Sequence, residues 1–207
     1  MLKQHGVAYI LGPKGSGKST LATRLAKDDH DKGYPVFLNY PVIFDAVSNI
    51  YRKDGSIDSM TGEDIIEVFN ANPNRYYGAT VVLDEAQTVA SSRNFFAASN
   101  KTLVDFIAMA RKLKLTLLLV SQKFKKVDKW VREDAEMIIV MEAEYPERED
   151  NVNFYMRIFD QNANTTKGFL HPDRCIWEGW FHGQGSFELF DTDTLIAYTQ
   201  SQKAKKE

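Results

Sequence analysis

The residues Gly12-Pro13-Lys14-Gly15-Ser16-Gly17-Lys18-Ser19 follow the pattern GxxxxGK[ST] in full. Glycines in such a run let the backbone turn sharply and bring several N–H groups onto phosphate oxygens. The helix that follows the run would add its positive N-terminal end. The expected roles follow from side-chain chemistry. Lys18 bridges the β- and γ-phosphates of ATP, Ser19 ligates Mg2+, and Thr20 donates to the α-phosphate. Lys14 reads either as an exposed loop lysine or as a contact to nucleotide or to a neighbouring subunit.

A second cluster is acidic. Thr80-Val81-Val82-Leu83 is an apolar run that delivers Asp84 and Glu85 side by side. An Asp at the end of a buried strand can hold the water shell of Mg2+, and the next carboxylate is then placed to orient and deprotonate an attacking water. That pairing points to hydrolysis and ATP-driven work. The Asn/Thr-Lys-x-Asp pattern that reads guanine is missing. A third signal is Leu115-Thr116-Leu117-Leu118-Leu119-Val120, an apolar run ending in Ser121-Gln122. Gln122 at that tip could sense the γ-phosphate or the water; an ordinary polar strand end is the alternative.

These residues need a scaffold that brings several strand ends to one edge. Val7 to Leu11 reads as a buried strand, and Leu21, Ala22, Leu25 and Ala26 recur at helical spacing after it. Further strands are expected at 35–39, 80–83, 115–120 and 137–141, with helical patterns around Ile65–Phe69 and Leu103–Ala110. Strands alternating with helices imply an α/β fold with a mainly parallel sheet covered on both faces. After about Glu149 the pattern changes to short, aromatic-rich, glycine-punctuated segments, expected to be two to four antiparallel strands that extend the sheet or fold over it. The chain thus reads as one domain, with a core over 1–148, a β extension over 149–200 and a frayed tail over 201–207.

Charge and composition narrow the function classes. The 207 residues carry 26 Lys plus Arg against 28 Asp plus Glu, a net of −2, so bulk positive charge cannot hold nucleic acid. The balance hides a local contrast. Arg111 to Arg132 holds eight basic residues and one acid (8 − 1 = +7), and Glu133 to Asp150 holds eight acids and one base (1 − 8 = −7). DNA-phosphate contact, complementary faces between subunits, and two merely solvated faces all fit that pattern. Cys175 is the only cysteine, which excludes an intramolecular disulfide and makes a cysteine zinc site untenable. No signal-peptide pattern or run of ~20 apolar residues occurs, so a soluble intracellular protein is expected.

Together these residues resemble the FtsK–HerA superfamily of DNA-pumping ATPases. The resemblance rests on Gly12 to Ser19, Val81 to Glu85, Ala110-Arg111-Lys112 before an apolar strand, Ser121-Gln122, and Val127 to Arg132. It covers roughly residues 5–145. The small size is most similar to genome-packaging ATPases of archaeal turreted icosahedral viruses. The resemblance implies a RecA-like (ASCE) core with strand order 5-1-4-3-2, ATP and Mg2+ as cofactors, and a homo-oligomeric ring acting on double-stranded DNA. It also implies docking on a capsid or vertex protein in the host cytoplasm during virus assembly, without membrane insertion. A trans arginine finger is implied too. Arg111 is the best match and Arg93 the second, while a helix-end arginine is the other reading of Arg111. Gly12-Pro13, Ser16 to Thr20 and Asp84 to Gln87 also look similar to thymidine-kinase-like nucleoside kinases. A ring helicase and a nucleotide-binding assembly subunit are further alternatives.

Overall fold

The computed structural model describes residues 6–46, 49–51, 57–86, 98–122, 135–145, 152–160 and 170–190. Strand β1 (Gly6–Leu11) leads through the glycine-rich turn into helix α1 (Lys18–His30), followed by β2 (Val36–Leu38). A small hairpin, β3 (Asn49–Tyr51) and β4 (Ile57–Ser59), stands apart from the main sheet. Next come α2 (Gly62–Ala71), β5 (Thr80–Leu83), α3 (Ala98–Met109), β6 (Thr116–Ser121) and β7 (Met137–Ala143). Two long strands follow, β8 (Asn153–Asp160) and β9 (Cys175–His182).

The seven-stranded sheet runs β2-β5-β6-β1-β7-β8-β9. Its first five strands are parallel, and β8 runs antiparallel to both of its neighbours, β7 and β9. Counting only the five parallel strands in chain order, the arrangement is 5-1-4-3-2, the order the resemblance implies. The late aromatic segments extend the same sheet instead of folding over it. The hairpin β3–β4 was not expected from the sequence; three residues per strand are too few to show a period.

Every residue of β1, β5 and β6 is buried, which explains why these segments read as unbroken apolar runs rather than alternating ones. Alternation is present in space. Val7, Tyr9 and Leu11 join Ile65, Phe69, Phe106 and Ile107 on the α2–α3 face, whereas Ala8 and Ile10 join Leu21, Ala22 and Ala26 on the α1 face. Phe69 and Phe106 meet with ring centroids 4.6 Å apart on the first face. A capping box starts α2: the Asp64 N–H donates to Thr61 Oγ1 at 3.1 Å, and the Thr61 N–H donates to the Asp64 carboxylate at 2.7 Å. Strands β8 and β9 complete the α1 face, with Phe154, Ile158, Trp177 and Phe181 packed there.

Because five neighbouring strands run the same way, their carboxyl ends share one edge. That edge carries Gly12 after β1, Asn39 after β2, Asp84 after β5 and Gln122 after β6. Crevices at such an edge are where open α/β sheets hold ligands.

Candidate nucleotide site

The turn between β1 and α1 is shaped by what a side chain would hit. A Cβ on Gly12 would collide with the Met141 carbonyl oxygen and with Ser16 Oγ. Gly15 (φ 78°) and Gly17 (φ 76°) adopt left-handed backbone conformations that suit glycine. At Gly17 a Cβ would also lie 2.7 Å from the Phe154 ring of β8. The loop is braced inside by Ser16, whose Oγ donates to the Pro13 carbonyl at 2.8 Å. Pro13, Lys14 and Gly15 are exposed at the tip. Thr20 is buried in the first turn of α1. Backbone amides, a helix start and glycine floors together form a cradle that fits a nucleotide's phosphates.

Lys18 is only 8% exposed, and its Nζ donates to the Pro13 carbonyl at 2.6 Å. Burial holds its ammonium below the usual lysine range, and the carboxylates of Asp84 and Glu85 draw it partly back up. A buried cation beside an anion-binding turn is what a polyphosphate would compensate. Ser19 Oγ donates to Asp84 Oδ2 at 2.5 Å, 65 residues away in sequence. Burial pushes the Asp84 carboxyl up from the ordinary value; the Ser19 hydrogen bond, the Glu85 N–H and Lys18 oppose that shift. Two hard oxygen donors in contact beside the phosphate cradle fit a Mg2+ ion, which favours few protein ligands plus phosphate and water. Among the described residues, no three His, Cys, Asp or Glu side chains gather as a ligand set of their own.

Glu85 adopts a left-handed backbone conformation (φ 52°), uncommon for a residue with a side chain. Its N–H donates to Asp84 Oδ1 at 2.7 Å, and its Oε1 accepts from Gln122 Nε2 at 2.8 Å. Gln122 is exposed, so this pair faces solvent at the strand edge. The structure therefore gathers Lys18, Ser19, Asp84, Glu85 and Gln122 at one place, from two strand ends and one helix start.

Arg111 lies elsewhere. It precedes β6, at the amino end of the sheet, where its Nε donates to Glu136 at 2.7 Å while the side chain stays 70% exposed. The six residues of β6 separate it from its own chain's Gln122 by roughly 20 Å at ~3.3 Å per residue. Arg93, Gln87, Trp130 and twelve of the eighteen charged residues in the two charged stretches lie outside the described residues.

Asn39 was missed by motif reasoning. Its Nδ2 donates to the Asp84 carbonyl at 2.9 Å, and its Oδ1 accepts the Asp84 N–H at 2.7 Å. The only sequence signal is a polar residue ending an apolar strand.

The sheet order, the cradle and the Ser19–Asp84 contact define a P-loop NTPase fold. The chain belongs to the zonular occludens toxin (Zot) family, whose model matches residues 7–145. Comparison with curated proteins gives no match. Among solved structures, the chain is similar to the N-terminal domain of zonular occludens toxin from Neisseria meningitidis. That likeness has a TM-score of 0.62 at 15% identity, covering 91% of this chain and 100% of that one. It is also similar to the genome-packaging NTPase B204 from Sulfolobus turreted icosahedral virus 2 in complex with AMPPCP, with a TM-score of 0.54 at 16% identity over 80% and 96% of the two chains. The same NTPase in complex with ATP-gammaS gives a TM-score of 0.55 at 14% identity over 79% and 96%. These likenesses show the fold, the P-loop NTPase fold that the motif resemblance implied. Among the described residues, no helix is long and apolar enough to cross a membrane.

Proposed function

We propose that the chain is an ATP-hydrolysing motor subunit that drives double-stranded DNA into a preformed viral capsid as part of a homo-oligomeric ring. The observation that carries the hydrolytic part is the contact between Gln122 and Glu85 beside the Ser19–Asp84 pair. Lys18 and the backbone of Gly12 to Thr20 hold the phosphates, and Ser19 and Asp84 hold Mg2+. Glu85 takes the proton of the attacking water while Gln122 orients it and registers the γ-phosphate. Arg111 acts on a neighbour's ATP, since it lies at the far end of its own β6. The DNA-packaging part is supported by the likeness to B204, itself a genome-packaging NTPase. Work at a capsid vertex in the host cytoplasm follows from that reading.

The Gln122–Glu85 contact also favours this reading over a nucleoside kinase, in which Gln122 has no obvious role. The test is Mg2+-dependent ATPase activity with and without double-stranded DNA, with the assembly state followed by size-exclusion chromatography. DNA-stimulated turnover in a species larger than one chain is expected, and Glu85→Gln should abolish it. A strictly monomeric protein with full, DNA-independent turnover would sink the ring model. Phosphate transfer to thymidine would move the assignment to the kinases.

A further inference from the structure

A side chain outside the phosphate loop and the acidic pair governs how that pair is presented. Strand β2 pairs with β5 from Val36↔Thr80 to Leu38↔Val82, and Asn39 follows directly. The Asn39 N–H still reaches the Val82 carbonyl, at 3.4 Å. Beyond that point the side chain takes over from the backbone. The Asn39 amide meets both the N–H and the carbonyl of Asp84, one rung past the end of the ladder. Tyr40 fixes the backbone that carries it. Thr23 Oγ1 donates to the Ser19 carbonyl at 2.8 Å, which leaves the Tyr40 hydroxyl to donate to Thr23, also at 2.8 Å.

With the Asp84 peptide held on both sides, the chain turns left-handed at Glu85. The turn sends two adjacent carboxylates to different partners, Asp84 to Ser19 and Glu85 to Gln122. A left-handed residue with a side chain persists only where its surroundings determine it. The bidentate amide does so from β2, alongside the Glu85 N–H bond to Asp84 Oδ1.

We infer that Asn39 is a positioning residue for the acidic pair, pinning the Asp84 peptide so that one carboxylate addresses Ser19 and the metal while the next addresses Gln122 and the attacking water. The inference rests on the hydrolase reading above. Asn39→Ala and Asn39→Leu in the full chain test it, with three readouts besides Tm. These are steady-state kcat, affinity for a fluorescent ATP analogue in metal-free buffer, and Mn2+ affinity by electron paramagnetic resonance with a non-hydrolysable analogue present. Losses of about 10–100-fold in kcat and several-fold in Mn2+ affinity are expected, the scale for outer partners of metal-bound groups. Metal-free nucleotide affinity should stay within about 3-fold, because among the residues described Asn39 touches none of the phosphate cradle. Two results overturn the inference: kcat and Mn2+ affinity within 2-fold of wild type in both variants, or nucleotide affinity and Tm falling in step with kcat. Glu85→Gln, measured in parallel, separates the two levels. Full activity there removes the hydrolase reading, and with it the inference. An inactive Glu85→Gln beside wild-type-like Asn39 variants removes the positioning role alone.

Discussion

Lys18 shows how a residue proposed to hold phosphate sets itself against stability. Its cation is buried, so folding favours the neutral amine and the pKa falls below the ordinary lysine value. For a base with a depressed folded-state pKa, the unfolded chain binds more protons in the window between that pKa and the unfolded value of 10.5. Stability attributable to Lys18 therefore rises with pH across that window. Lys18→Met should melt a few degrees above wild type at neutral pH without nucleotide, and its advantage should shrink as pH climbs through the window. The same variant should lose roughly 2–5 kcal/mol of Mg-ATP binding. Calorimetry with and without nucleotide checks both; equal melting points at neutral pH would contradict the desolvation account. That Lys18, Ser19 and Asp84 would come together was legible because each belongs to a short pattern whose spacing has a mechanism. Asn39 was not legible, because its partner is the backbone of a residue 45 positions away, and backbone partners leave no mark on residue type.

At the scale of elements, the phosphate loop and the late strands depend on each other. The Phe154 ring of β8 packs directly beneath Gly17, so the turn that should cradle phosphate stands on a strand from the far end of the chain. Gly17→Ala should cost roughly 1–2 kcal/mol for its left-handed backbone and a further ~1–3 kcal/mol for overpacking against the ring. Phe154→Ala alone should cost about 3–5 kcal/mol. In the double variant the overlap disappears while the backbone cost remains, so the two losses should sum to more than the combined effect. Urea denaturation of the four proteins measures this; strict additivity would mean the ring yields freely. By the same packing, a chain ending at residue 148 loses Phe154 and Ile158 from the α1-side core and should lack a cooperative unfolding transition. The parallel strands were readable as apolar runs bounded by glycine and acid. That the β extension completes the same core was not, because its aromatic alternation fixes one face per strand and leaves the strand's neighbour open.

Across the whole molecule, the two ends of β6 carry different chemistry. Gln122 stands at the carboxyl end beside Glu85, and Arg111 stands at the amino end on Glu136. If Arg111 completes a neighbour's site, Arg111→Ala should lower turnover by up to ~10³-fold or more. Mixing it with Glu85→Gln should restore part of the activity, since one variant keeps a working acid pair and the other keeps the arginine. Two inactive proteins that stay inactive at every mixing ratio would remove Arg111 from the site. The sheet order was legible only through family resemblance; strand periodicity alone cannot rank five buried parallel strands.

The separation along β6 also limits which assemblies can work. On the proposed trans role, Arg111 of one copy must meet the phosphate loop of another. A two-fold dimer that does not join those two regions therefore leaves both loops without a donor, and a head-to-tail contact leaves one at the end of the row. An open row of copies always ends in one subunit whose loop has no donor opposite it. Closing the row removes that idle member. Turnover per chain should thus climb with protein concentration as short rows lengthen, then level off once they close.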